Sequence, residues 1–297
     1  MSISGILNVS KPEGRTSFSV VDWLRRLTGE KRVGHAGTLD PRATGVLPVC
    51  FGQGTRVIQF LLRGSKIYLA QIELGVATDT FDSEGKIVQR GDMGDITTAR
   101  IEEALTCFVG VIEQVPPVYS ALKHHGKRCY ELARAGNMIT MQSRRVEITR
   151  LELVDCDLPL ITIKVVCGKG TYIRSLAHDL GQYLGCGAYL KSLIRLRYGP
   201  FDIKDALSVD QVEEAFRQGC WRELLHPVDS VLLNWSAAIV NKGSESTIRN
   251  GNSLHLEGGH LPSDRYCRVY NPEGDFVALL RFVSDKKLWH PEKVFPL

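Results

Sequence analysis

Apolar and polar positions along the chain change their spacing repeatedly, and each change marks an element. Ile3 to Val9 is a short apolar run that reads as a strand, stopped by the turn Lys11-Pro12-Glu13-Gly14. Ser17 is placed to cap a helix with Val20, Val21, Leu24 and Leu27 on one face. A polar, glycine-rich loop follows, then the continuous apolar run Val46 to Phe51, which predicts a buried strand. Gln53 to Leu62 reads as helix, and Lys66 to Leu74 alternates as a strand does. Beyond a polar turn at Asp79 to Gly85, Thr97 or Thr98 starts a helix through about Phe108, and Pro116-Pro117 breaks the pattern. Ile148 to Leu153, Leu160 to Val166 and Leu190 to Tyr198 read as strands. Thr171 to Leu184 reads as a helix with Ile173, Leu176, Ala177 and Leu180 on its apolar face, and Ser208 caps another running to about Phe216.

After Leu233 the character shifts to short strand-like pieces between Gly, Asn, Ser and Pro turns. The expected organisation is a domain over 1–232 and a small β domain over 233–297. The first lacks the regular strand-helix rhythm of a doubly wound fold, so the predicted class is α+β. With 297 residues, 43% hydrophobic and 24% charged, the chain has the composition of a soluble globular protein. None of its eight cysteines forms a C-x-x-C pair, which points to reduced thiols in a cytoplasmic protein rather than zinc ligands or disulfides. No signal peptide or membrane span is expected from the sequence.

The candidate chemistry centres on Gly34-His35-Ala36-Gly37-Thr38-Leu39-Asp40-Pro41-Arg42-Ala43-Thr44-Gly45. Glycine permits positive φ and close approach to the backbone, and Pro41 pushes Asp40 away from helical geometry. One carboxylate is thus presented by a constrained loop between apolar segments. Taken alone, the loop also fits an ordinary Asp-Pro turn. Arg174, in Gly170-Thr171-Tyr172-Ile173-Arg174, offers a donor fork that matches a carboxylate and would hold Asp40 ionised. From spacing alone, a surface arginine near a helix N-terminus is the favoured reading. Tyr68, Tyr172 and His35 have the alternative of packed or capping side chains. Leu193 to Arg197 is an apolar-basic stretch.

Net charge is only +4, but basic residues cluster at Lys123, Lys127, Arg128, Arg134, Arg144, Arg145 and Arg150, with Tyr119 and Tyr130 interleaved. Lysine and arginine neutralise phosphates and aromatic rings stack on unpaired bases, so this mix suits a structured RNA; a solvated basic face is the alternative. No G-x-G-x-x-G or phosphate-loop fingerprint occurs, and His255 and His260 have no third partner in a metal-ligand pattern, so neither cofactor nor metal is expected.

Several long motifs in one order resemble the TruB family of pseudouridine synthases. They are Gly5 to Ser17 (GILNVSKPEGRTS), the Gly34–Gly45 loop, Thr78-Asp79-Thr80-Phe81-Asp82 with Gly85, Pro116 to Lys123 with Tyr130 to Arg134, and Gly170 to Leu176. The match covers most of the chain. The resemblance implies a catalytic domain on a mixed, mainly antiparallel sheet with an RNA-gripping insertion at about 116–150, followed by a PUA-like domain whose match is looser. It implies isomerisation of uridine to pseudouridine at position 55 in the T loop of tRNA, without cofactor or guide RNA, by a protein with no obligate protein partner, expected to be a monomer. Asp40 would be the catalytic aspartate and Arg174 its partner. Tyr68 would stack on the flipped uracil, with Tyr172 and Leu193 beside it. His35 would help hold the RNA loop open, and Arg56 would be a basic residue of the pocket. Lys123, Lys127, Arg128, Arg134, Arg144 and Arg145 would grip RNA.

Two other readings fit the same residues. A non-catalytic RNA-binding or RNA-folding protein would use the basic segment and β domain but would not need Asp40, Tyr68 and Arg174 together. An enzyme that opens tRNA could also assist its folding. A guide-RNA-dependent relative would share the catalytic motifs, whereas the basic insertion favours stand-alone recognition.

Overall fold

The computed structural model describes residues 3–119, 123–124, 127–128, 141–256 and 265–296. Seven strands form the main path of its larger sheet: β1 (Gly5–Lys11), β2 (Thr44–Phe51), β3 (Lys66–Leu74), β4 (Gly110–Gln114), β5 (Arg144–Asp157), β6 (Leu160–Cys167) and β7 (Ala188–Tyr198). Their spatial order is β1-β2-β7-β3-β6-β5-β4, and the short strands Val33–His35 and Phe201–Asp202 add to β2 and β7. Only β2 and β7 run parallel; the other neighbours on the path are antiparallel. The mixed, mainly antiparallel sheet with flanking helices is the expected α+β class.

The continuous apolar run of β2 is explained by burial on both faces. Leu47, Val49 and Phe51 face α1 (Ser17–Thr28) with Leu7 and Val9, while Val46 and Cys50 face the opposite way with Ile6. Further along the sheet, α2 (Thr98–Thr106) and α3 (Ile173–Leu184) pack Ile101, Ala104, Leu176 and Leu180 against Ala70, Ile72 and Ile163. Thr97 caps α2, and Ser208 forms a capping box with Gln211 at α4 (Val209–Arg217).

Some elements depart from expectation. Thr16, not Ser17, caps α1. The segment read as a helix from Gln53 to Leu62 is a 3-10 stretch, Gly52–Val57, followed by the single turn Ile58–Leu61. Gly52 packs against the backbone of Ile3 and Gly54 against that of Gly5, with no room for a Cβ at either, which favours a tighter coil here. The helix read from Thr171 starts at Ile173, with Tyr172 at its cap.

A second sheet contains β8 (Ser236–Ile239), β9 (Tyr266–Tyr270), β10 (Phe276–Val283) and β11 (Leu288–Val294). It meets the first sheet through a shared apolar cluster that includes Val46, Phe60 and Leu61 on one side and Tyr266, Leu279 and Phe295 on the other. Phe60 lies edge-on to Trp235, with ring centroids 5.4 Å apart.

Candidate active site

The site begins where β2 and β7 run side by side. Gly45 faces Arg195 across this parallel pair, and a Cβ at Gly45 would stand 2.3 Å from the Arg195 carbonyl. Its φ of +97° also excludes most side chains, so glycine is required twice over. The loop that precedes β2 is strapped down from several directions. Ser17 donates to the Leu39 carbonyl and accepts from the Leu39 amide, at 3.1 and 2.8 Å. The Gly14 amide donates to the Pro41 carbonyl at 2.9 Å. Lys11 is fully buried and donates to the carbonyls of Pro12, Arg15 and Pro41 at 2.9, 2.6 and 2.9 Å. Burial lowers its pKa to about 8, opposed by the negative charge of Asp40.

Asp40 is therefore presented by a loop with little freedom. Arg174, on the first turn of α3, meets it with two nitrogens. Nη2 donates to Oδ1 at 3.1 Å, and Nε lies 2.9 Å from Oδ2 as an ion-pair contact outside hydrogen-bond geometry. Nη1 lies 3.3 Å from Oδ2 of Asp82, and Nη2 also donates to the Tyr119 carbonyl at 3.0 Å. One guanidinium thus serves two carboxylates. The Arg174 side chain is 7% exposed and that of Asp82 18%, while Asp40 keeps 42% of its side-chain surface open to the cleft.

Burial raises the pKa of Asp40, Arg174 lowers it, and the charges of Asp82 and Glu84 raise it further. Water still reaches the open side of the carboxylate, so the push from burial grows only when something covers the cleft. Removing Arg174 would leave two carboxylates uncompensated, which is the costly way to disturb such a cluster, whereas Arg174 keeps Asp82 if Asp40 is neutralised.

Asp82 is held as firmly as Asp40. Thr80 Oγ1 donates to its Oδ1 at 2.5 Å, and the Glu84 amide donates to the same oxygen at 3.1 Å. Phe81 takes a φ of +64°, and its ring stacks on His178 with centroids 3.9 Å apart. Gly85 closes the turn, where a Cβ would stand 2.4 Å from Thr80 Oγ1.

The cleft over the two carboxylates is lined by Asp40, Ala43, Asp82, Arg174, Leu190 and Leu193, among others. Leu193 and Tyr68 share one apolar cluster with Leu39 and Ala43. The cross-strand pairs Leu193–Ala70 and Arg195–Tyr68 put these side chains on one face of the sheet. Tyr68 is 8% exposed, and burial raises its phenol pKa while the charge of Arg195 lowers it. Tyr172, at the α3 cap, is fixed through its backbone: Gln114 Nε2 donates to its carbonyl at 3.0 Å, and its amide donates to Gln114 Oε1 at 2.8 Å. The arrangement offers an oriented carboxylate, a paired cation and a flat apolar wall.

The other expected residues lie elsewhere. His35 is half-buried on the Val33–His35 strand, opposite Val49, and burial with the charge of Arg195 lowers its pKa. Arg56 lies at the seam with the second sheet. It is not brought to Asp40: Nη1 donates to the Val294 carbonyl and to Gln53 Oε1, and its guanidinium lies 5.2 Å from the Phe295 ring centroid. The tight coil from Gly52 to Val57 turns its side chain toward the second sheet. Arg144 and Arg145 are exposed on β5. Lys123 pairs with Arg128 and His124 with Lys127 in a short hairpin, while Arg134 lies outside the described residues.

The roles of Asp82, Lys11, Ser17, Gln114 and Arg195 were not anticipated from the sequence. Arg195 is the one charge among the buried positions of its strand. Asp82 left its place in a polar turn and in the motif Thr78–Asp82.

Comparison with known proteins gives a consistent result. Residues 25–173 match the family model of the TruB family pseudouridylate synthase N-terminal domain, and residues 174–233 match that of the tRNA pseudouridylate synthase B C-terminal domain. A protein of Dehalococcoides mccartyi named tRNA pseudouridine synthase B is 44% identical over 293 residues, covering 99% of this chain and 97% of its own. One of the same name from Pseudomonas aeruginosa is 39% identical, covering 97% and 94%. Among solved structures, a Cbf5-Nop10-Gar1 complex contains a chain similar over 98% of this one and 85% of its own, with a TM-score of 0.74 and 25% identity. With these family models and relatives covering most of its length, the chain belongs to the TruB family and is a pseudouridine synthase.

Proposed function

We propose that this enzyme converts uridine to pseudouridine in the T loop of tRNA, at position 55, with Asp40 as the reacting carboxylate and without cofactor or guide RNA. The observation that carries the reading is Arg174 holding Asp40 in an open cleft whose wall includes Leu193. The names of the relatives support tRNA as the substrate. Exposed Arg144 and Arg145 lead out of the basic segment and supply charge for a phosphate backbone.

The chemistry suits these residue types. The N1–C1′ bond breaks, the uracil turns, a C5–C1′ bond forms, C5 gives up its proton and N1 regains one. The net change lies within one nucleotide, and any bond formed to Asp40 on the way is broken again, so the isomerisation is redox-neutral and its atoms balance without a co-reactant. The target base leaves its stack to reach the carboxylate, and stacking against an aromatic or aliphatic wall offsets part of that cost. An ionised Asp40 can act at C1′, at uracil C6 or on a sugar proton, and Arg174 supplies the compensating charge in each case.

The test is tritium release from an isolated T-arm stem-loop carrying 5-tritiated uridine, incubated with the purified protein alone. Release to completion is expected. No release contradicts the reading, and release only after a guide RNA is added contradicts stand-alone recognition.

A further inference from the structure

Arg195 combines the burial of a core residue with the charge of a surface one. It is 1% exposed and stands directly opposite Tyr68 on β3 and Gly45 on β2. Nε donates to the Val46 carbonyl at 2.6 Å and Nη2 to the Gly37 carbonyl at 3.2 Å. The guanidinium lies 4.8 Å from the centroid of the Tyr198 ring, and the register puts the Arg195 and Tyr68 side chains side by side on one face of the sheet, where the charge of Arg195 favours the ionised phenol. None of the ion pairs among the described residues includes Arg195.

Taking a charge out of water without a counter-charge is expensive, and an apolar side chain of similar volume would avoid the cost. The carbonyls and the ring face offset part of it. The partners themselves indicate what the charge accomplishes. Gly37 precedes Asp40 in its loop, Val46 follows it on β2, and Tyr68 belongs to the buried apolar cluster that includes Leu39, Ala43 and the cleft-lining Leu193.

We propose that Arg195 is a positioning residue: one guanidinium ties the Tyr68 phenol to the backbone on both sides of Asp40, so that the wall of the base pocket and the reacting carboxylate keep a fixed mutual geometry. The inference rests on the reading of Asp40 and Tyr68 given under the proposed function. Arg195 touches neither the cleft nor the base. It acts through the Asp40 loop, which lines the cleft, and through Tyr68, which packs in one cluster with the cleft-lining Leu193, and a misplacement of either by about an ångström is enough to slow a reaction that depends on alignment.

The test is a double-mutant cycle read by tritium release from 5-tritiated tRNA. Arg195→Met is expected to lower kcat about a hundredfold with KM nearly unchanged, and Arg195→Lys, which keeps the charge and one donor, to recover part of the loss. In a Tyr68→Phe background the cost of Arg195→Met is expected to shrink severalfold, because the tie to the phenol is already gone. A kcat unchanged by Arg195→Met, or losses that simply multiply in the double variant, would overturn the proposal.

Arginine side-chain NMR gives a second readout that does not depend on Arg195 variants folding. The Nη protons of Arg195 are expected to be resolved and slowly rotating in the unmodified protein and to broaden in Tyr68→Phe. Identical signals in both overturn the tie. A wild-type enzyme that released no tritium would contradict the functional reading, and the NMR result would still decide the tie.

Discussion

Arg174 and Arg56 have the same side chain, and the family resemblance implied a place in the pocket for both, yet they lie in opposite kinds of environment. Arg174 sits between two carboxylates at the floor of an open cleft. Arg56 lies against a carbonyl and an aromatic ring at the seam between the two sheets. The first position compensates two carboxylates, and the second ties two sheets together. What separates them is backbone geometry. Arg174 is on the first turn of a regular helix aimed at the Asp40 loop, whereas Arg56 is on a 3-10 coil forced tight by glycines packed against backbone. The lesson is that a basic residue near a catalytic motif takes its role from the local coil that carries it.

The comparison can be tested at its strongest point by Arg174→Met. Turnover is expected to fall about a thousandfold, as for removal of a preorganised electrostatic partner. Arg174 lowers the pKa of Asp40, while burial, Asp82 and Glu84 raise it. Without Arg174 the carboxyl ionises at higher pH, so the residual activity should rise over a more alkaline range than in the wild type. A pH–rate profile of kcat/KM checks this, and an unshifted acid limb contradicts it.

Asp82→Asn should cost less, about tenfold, because Asp40 keeps its partner. Removing a like charge lowers the pKa of Asp40, so the acid limb should move the other way, to lower pH. The opposite signs of the two shifts make them a sharper check than either rate alone.

At the seam, Arg56→Met is expected to leave turnover within about twofold and to lower Tm by several degrees. A loss of turnover comparable with that of Arg174→Met would return Arg56 to the pocket and dissolve the contrast.

The smallest effect concerns Asp179, on α3 beyond the site. Burial raises its carboxyl to about 6. The folded state therefore holds this proton more tightly than the unfolded one, and the associated stability is present below the ordinary carboxylate range and lost as pH rises through about 6. Asp179→Asn should raise Tm at pH 7 by a degree or two, discounted for the partial solvation of the group, and leave it unchanged near pH 3. Activity should be unaffected.

Much of this architecture was legible in the chain. Strict alternation located β3 at Lys66–Leu74, and capping chemistry placed α2 and α4. The Asp40 loop was legible because glycines and proline constrain a carboxylate in few ways. The rest depends on distant contacts. Ser17 looked like a helix cap but its hydroxyl is taken up by Leu39, with Thr16 capping instead. Asp82 reaches Arg174 only because Phe81 adopts a left-handed conformation and stacks on His178. Arg195 acquires its partners from strand order, through a parallel pairing with β2 that no local pattern encodes.

The most direct test of the account is Asp40→Asn, measured for tritium release and for tRNA affinity in the same preparation. Asparagine preserves the volume of the side chain and removes its charge. The account predicts release reduced at least about ten-thousandfold with affinity close to that of the wild type. Substantial pseudouridine formation by this variant would show that the reacting group lies elsewhere.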